Sequence, residues 1–418
     1  MEKLSRLAEA MVGSEIVRLG NEINERKRRG EKIFNFTIGD FDPDVFPIPE
    51  PLEKLIIQCY KDHYTNYPAA EGIIELREAV SAFLKEWENL DYSPAEILIA
   101  SGGRPLIYTL FKAVVDDDDK VIYAAPSWNN NHYTNLHKGH HCVIEARPEN
   151  NFMPAASDIA PHVKDAALLC LCTPQNPTGT TLTKESLSDI CKLVIEENTR
   201  RGADEKKLYL MFDQMYWTLT YGIIEHYDPV TLHPEMRKYT IFIDGISKAF
   251  AATGVRVGWA FGPAAVLAKM KAFLSHIGAW APMAEQHATA KYLPEKKLVQ
   301  QYFLEFKAAL EQRLNNIYEG LSALKEEGFN VDIITPQAAI YLTVKFDLVG
   351  KTANGKTLQT QADVTEYLLG EAKLAVVPFY AFGAGKNSPW YRLSVGTCTL
   401  NDIKPFLQQL RQALMVLQ

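Results

Sequence analysis

The chain has 418 residues, 47% of them hydrophobic, with 44 Lys and Arg against 51 Asp and Glu for a formal net charge of -7. That length exceeds what one small core organises, so two domains, or a large domain with a smaller one attached, are expected. The acidic balance excludes a global attraction to nucleic acid or to an anionic membrane surface.

Residues 1–32 alternate apolar and charged side chains at helical spacing and lack the apolar core of a signal peptide. No stretch is apolar for long enough to cross a bilayer, so a cytoplasmic protein is expected. Between residues 97 and 262, short apolar runs end in polar or Gly/Pro-rich turns and give way to amphipathic stretches. The runs are 97–100, 120–124, 141–145, 166–171, 208–212, 240–243 and 257–261. Most lack strict alternation, which predicts strands covered on both faces, hence an α/β fold with a mainly parallel central sheet flanked by helices. Residues 296–327 read as one long helix, or as two joined near Gly320. A smaller α+β section follows, with strand-like runs at 339–346, 374–378 and 391–395 and a closing helix over 401–417. Cys59, Cys142, Cys170, Cys172, Cys191 and Cys398 are scattered, a pattern that implies neither a disulfide framework nor a metal site.

In open α/β sheets, ligands collect beyond the carboxyl ends of the strands. The segments to inspect are therefore 101–104, 126–128, 173–179, 213–216 and 247–256. Lys248 follows Ser247 at such a strand end, with Arg256 eight residues on. Alone, it reads as an ordinary solvated lysine. Its neighbours change that reading. A Schiff-base lysine needs its amine deprotonated in a partly desolvated, cation-rich pocket. A phosphate needs hydroxyls, backbone N–H groups and an arginine fork. Ser247 and Arg256 supply two of these, and Ser101-Gly102-Gly103, ahead of a helix that Pro105 suits, supplies amides. Asp213 ends another run, with Tyr216 three residues on. It suits a helix N-cap, or a carboxylate that keeps a pyridine nitrogen protonated. The segment Thr173-Pro174-Gln175-Asn176-Pro177-Thr178-Gly179 stiffens a turn behind a buried strand, and an asparagine fixed there can donate to a phenolate oxygen.

The ordered series Ile38-Gly39-Asp40, Tyr67-Pro68 with Gly72 and Leu76-Arg77, Ser101-Gly102-Gly103, Trp128, Asn176-Pro177-Thr178-Gly179, Asp213 with Tyr216, Ser247-Lys248 with Arg256, and Arg392 spans almost the whole chain. It resembles the class I and II aminotransferases, pyridoxal 5′-phosphate (PLP) enzymes of fold type I. The resemblance implies an N-terminal segment over 1–45 that packs with the small domain, a large PLP-binding domain over 46–290, and an interdomain helix and small domain over 291–418. It implies catalytic roles for Lys248, Asp213 and Tyr216. Cofactor contacts would come from those three and from Ser101, Gly102, Gly103, Arg104, Asn176, Ser247 and Arg256, with Trp128 stacked on the ring. Tyr67 would reach the neighbouring subunit's phosphate in a homodimer. Gly39, Asn176, Arg392 and Arg104 would bind substrate, Arg392 by a bidentate grip on the α-carboxylate. No metal, nucleic acid or membrane partner is implied. Three positions depart from the family pattern: Gly245, where many members carry a hydroxyl, the turn at 116–119, and Phe379 after Pro378.

The activity implied is transfer of an amino group from an L-amino acid to a 2-oxo acid by a ping-pong cycle. Arg104 points to an acidic substrate, aspartate or glutamate. Arg104 could instead cap its loop or face solvent, and Tyr64, Tyr133, Trp280 and Tyr380 offer aromatic surface that would suit an aromatic or neutral substrate as the alternative. A PLP lyase acting at the β or γ carbon, as on a C–S bond, would use the same lysine and aspartate. A regulator that keeps the fold would need an added DNA-binding module, for which the stretch before Gly39 is expected to be too short.

Overall fold

The computed structural model describes residues 4–10, 13, 15–353 and 355–418. Of the expected helical opening, residues 1–3, 11, 12 and 14 lie outside these. The chain forms two compact units, one of residues 40–309 with 337–339, the other of residues 1–39, 310–336 and 340–418. The sequence reading placed its boundaries after residues 45 and 290, whereas these units divide after Gly39 and, inside a helix, after Ala309.

The larger unit is built on seven strands: β1 (Ile97–Ala100), β2 (Lys120–Ala125), β3 (His140–Glu145), β4 (Ala166–Cys172), β5 (Tyr209–Asp213), β6 (Thr240–Gly245) and β7 (Gly258–Phe261). Their order across the sheet is β1-β7-β6-β5-β4-β2-β3. All neighbours run parallel except those of β7, which is antiparallel to both β1 and β6. Six of the seven residues of β4, AALLCLC, are buried, as a central strand covered on both faces requires. The covering helices show their inward faces in sequence. In α1 (Ile74–Glu88), Leu76, Ala79, Val80, Phe83 and Leu84 are buried at helical spacing, and the helix stops at Asn89, which takes a left-handed φ of 56°. In α2 (Gly103–Val114), Leu106, Ile107, Leu110, Phe111 and Val114 form the same stripe.

The smaller unit holds a four-stranded antiparallel sheet of β8 (Val331–Ile333), β9 (Tyr341–Phe346), β10 (Val377–Pro378) and β11 (Trp390–Ser394), in the order β10-β11-β9-β8. The long helical stretch is one helix, Lys296–Glu326, without a break at Gly320. Gly320 serves close packing instead: a Cβ there would lie 2.2 Å from Cδ1 of Leu407 in the closing helix Leu400–Met415. Among the described residues, no helix is long and apolar enough to cross a membrane.

Candidate active site

Four loops at the carboxyl ends of β1, β4, β5 and β6 carry most of the candidate residues. β1 ends at Ala100, and Ser101-Gly102 turns the chain into α2. Gly102 has a φ of 86°, a left-handed conformation that glycine adopts without a Cβ clash. A Cβ there would also come 2.3 Å from Arg256 Nη2. One feature of the expected amide cradle is corrected. The Gly102 N–H donates to the Ala100 carbonyl at 2.7 Å, so that amide is already spent on the turn. The N–H groups of Gly103 and Arg104 lie in the first turn of α2, where no carbonyl one turn back can accept them and the helix dipole is positive.

Arg256 closes this cradle. It has a φ of 64°, and its Nη1 and Nη2 donate to the carbonyls of Thr253 and Ser101, each at 2.7 Å. Burial and then the nearby charge of Arg104 push the Arg256 pKa down, which records two cations crowded at one spot; Asp40 opposes the shift. Asp40 is held by a hydrogen bond from Thr253 Oγ1 at 2.5 Å, a link the sequence reading did not anticipate. The Arg104 guanidinium lies 5.3 Å from the Trp128 ring centroid. Among the described residues no carboxylate pairs with Arg104.

Asp213 is the last residue of β5, in register with Cys172 on β4 and Ile243 on β6. It is not a helix N-cap: the Met215 N–H donates to its Oδ1 at 3.1 Å within a loop. Burial pushes its pKa up to about 6. No Lys or Arg among the described residues pairs with it. A carboxyl held that deep without a cation is the partner that a protonated ring nitrogen completes. Together with the positive end of α2 and the Arg256 guanidinium, which suit a phosphate, these residues fit PLP.

Lys248 lies on the single helical turn α3 (Ile246–Ala249) that follows β6. Its Nζ is 5.8 Å from the ring centroid of Tyr216 and 5.5 Å from that of Phe41. Ser247 beside it is buried. Asn176 is also buried, in a loop pinned on both sides. Gln175 Nε2 donates to the Pro126 carbonyl at 2.7 Å, in the loop that carries Trp128. The Gly179 N–H donates to the Gln175 carbonyl at 2.9 Å. Gly245 has a packing cause. A Cβ there would lie 2.7 Å from the Gly258 Cα across the β6–β7 pair, so a hydroxyl residue does not fit this backbone.

Tyr67 stands apart from this group. It is 84% exposed, with its ring edge-on to Trp280 at 5.4 Å, over a cleft of about 550 Å³ that Tyr60 and Tyr64 also line. In the smaller unit, Arg392 lies on β11, between Thr343 of β9 and Val377 of β10, and is 1% exposed. Its Nη2 donates to the Thr37 carbonyl at 2.6 Å, and its Cζ is 4.7 Å from the Tyr341 ring and 4.9 Å from the Phe382 ring. Gly39 is beside it: a Cβ there would come 2.9 Å from Tyr341 Oη and 3.3 Å from Arg392 Nη1.

Residues 31–410 match the family Aminotransferase class I and II. The chain is 29% identical to an aspartate aminotransferase of Bacillus sp. (strain YM-2), over 98% of each chain. It is 30% identical to a probable aspartate/prephenate aminotransferase of Rickettsia felis, over 89% of this chain and 87% of that protein. A Thermus thermophilus aspartate aminotransferase structure with maleate superposes with a TM-score of 0.86 at 27% identity, covering 99% of this chain and 100% of the other. An aspartate aminotransferase from Rhizobium meliloti, 24% identical over the full length of both chains, shares the fold with a TM-score of 0.90. The chain therefore belongs to the class I and II aminotransferases, enzymes that use pyridoxal phosphate.

Proposed function

We propose that this aminotransferase takes acidic amino acids, aspartate or glutamate, as amino donors, and that Lys248 is its cofactor-holding base. When bound, PLP supplies an aldehyde that condenses with amines and a ring that withdraws electrons from the substrate Cα. Lys248 Nζ would hold the cofactor and, once displaced by the amino acid, would take the proton from the substrate Cα and deliver it to the C4′ carbon of the cofactor. Asp213 stays ionised against the ring nitrogen. Tyr216 and Asn176 donate to the phenolate oxygen, and Trp128 stacks on the ring. Ser247, Arg256 and the Gly103 and Arg104 amides bind the phosphate. Arg392, with Gly39 leaving space beside it, grips the substrate α-carboxylate. The exposed ring of Tyr67 supports a homodimer in which that residue serves the partner subunit.

The observation that carries the substrate reading is the Arg104 guanidinium beside Trp128, which pairs with no carboxylate among the described residues. A cation left without a carboxylate at the cofactor cradle suits a distal carboxylate of the substrate. The names of the relatives, aspartate and aspartate/prephenate aminotransferases, support the same class. The test is single-turnover absorbance conversion of PLP-loaded enzyme by aspartate, glutamate, alanine and phenylalanine. In R104A, aspartate and glutamate should slow by roughly 10- to 100-fold, the worth of one charge-assisted hydrogen bond, while alanine is unchanged. Equal rates for the acidic substrates in both proteins would overturn the assignment.

A further inference from the structure

Behind the site lies a buried polar cluster that the scheme above does not use. Asp244 on β6, four residues before Lys248, is 1% exposed. Its Oδ1 accepts the Gly245 N–H at 2.7 Å and its Oδ2 accepts Trp217 Nε1 at 3.0 Å. Gln214, fully buried, is a further neighbour of Asp244, and its Nε2 donates to Glu88 Oε2 of α1 at 2.5 Å. Gln214 follows Asp213 directly, and Trp217 follows Tyr216. Asp244 therefore holds the β5 loop at Trp217, next to Tyr216, while also fixing the first peptide of the segment that leads to Lys248.

We propose that Asp244 is a positioning residue for the reaction, a buried strut that sets the loop of Asp213 and Tyr216 against the segment of Ser247 and Lys248. The inference rests on the assignment of Lys248 and Asp213 to the cofactor. A carboxyl is an expensive choice for packing alone, because a buried acid without a cation costs more than a neutral residue. No Lys or Arg among the described residues pairs with Asp244. What an aspartate offers is two oxygens, enough to receive donors from two loops at once.

The charged and titratable groups facing it are Glu88 from α1 and Asp213 from β5, with Asp228 acting on Glu88. His226 lies beyond Gln214, 3.5 Å from its Oε1, and burial keeps that imidazole neutral. Burial, with the neighbouring Asp213 adding to it, raises Asp244 to about 8, and burial with Asp244 raises Glu88 well above its ordinary value.

The experiment compares wild type, D244N, W217F and K248A as PLP-loaded proteins, recording cofactor absorbance against pH together with kcat and KM. D244N has one acceptor oxygen for several donors, so it loses part of the clasp while keeping its volume. Its kcat should fall roughly 10- to 100-fold with KM within about threefold, as expected when geometry at the reacting atoms is lost rather than substrate binding. The pH midpoint of the absorbance change should move by about half a unit or more. W217F removes one donor and should shift both readouts the same way by less. If D244N does not fold, W217F decides. Native midpoint and kcat in the folded variants would overturn the strut. A wild type without pH-dependent cofactor absorbance, or a K248A protein that retains it, would instead overturn the Lys248 assignment and the strut with it.

Discussion

Two arginines assigned to anions are held in opposite ways. Arg256 lies in a loop beyond the seven-stranded sheet, at a left-handed φ of 64°, and is fixed by giving two hydrogen bonds to backbone carbonyls. Arg392 lies in a middle strand of the four-stranded sheet, almost without exposure, and is walled by the rings of Tyr341 and Phe382. The first arrangement gathers residues from many strand ends at one edge, because parallel neighbours bring their carboxyl termini together. The second fixes one side chain by burial and packing, with little freedom to adapt. The candidate residues of the larger unit thus form a shared loop platform, whereas in the smaller unit the proposed anion contact depends on one rigid side chain.

If this contrast is right, the largest effect comes from the loop platform. D213N should lower kcat/KM by roughly 10³-fold, the cost of leaving one member of a buried charge pair unmatched. The same variant should make the apoenzyme more stable, for a reason that fixes the sign of a pH dependence. The Asp213 carboxyl is raised to about 6 in the fold. Its protonated form is favoured there, so its contribution to stability is complete below the ordinary carboxylate range and is lost as pH rises through about 6. Denaturant unfolding of apoenzyme should show D213N gaining on wild type between about pH 4 and 7, by on the order of 2 kcal/mol at the upper end. A constant difference across that range would contradict the burial of an uncompensated carboxyl.

A smaller effect is expected in the rigid half. R392K replaces a planar fork by a point charge and should cost roughly 100-fold in kcat/KM through a higher KM, with PLP retention unchanged by absorbance. Loss of PLP from R392K would blur the contrast between the two regions. The smallest effect is at Gly245, where G245S restores the hydroxyl common in the family. Because its Cβ would press on the Gly258 Cα at 2.7 Å, the free energy of unfolding measured by denaturant should fall by about 1–3 kcal/mol. A stabilised G245S with tighter PLP binding would mean that the β6–β7 crossing opens more readily than its packing suggests.

Much of the larger unit was legible in sequence because buried parallel strands are near-continuous apolar runs. The expected runs fall on β1 to β7 within one or two residues at each end. The antiparallel direction of β7 was not legible, since an apolar run carries no sign of its direction. Nor was the unbroken course of Lys296–Glu326, because a glycine that breaks a helix and one that admits Leu407 look alike in sequence. Among the candidate residues, Lys248, Asp213 and Asn176 stand out in sequence by the turns they occupy. Asp244, Trp217 and the Thr253–Asp40 link do not, because their partners are set by tertiary contacts rather than by spacing.

The sequence by itself determined the α/β class, the strand ends on which chemistry collects, and the family, because periodicity, turn residues and an ordered motif series are local properties of the chain. Only the tertiary structure decided which donors remain available. It committed the Gly102 amide to Ala100, gave Arg104 no carboxylate and the deep-set Asp213 no cation among the described residues, and allowed no side chain at Gly245. The physical reason is that hydrogen-bond supply, desolvation and steric room depend on what the fold brings within a few ångströms, and residue spacing along the chain does not encode that distance.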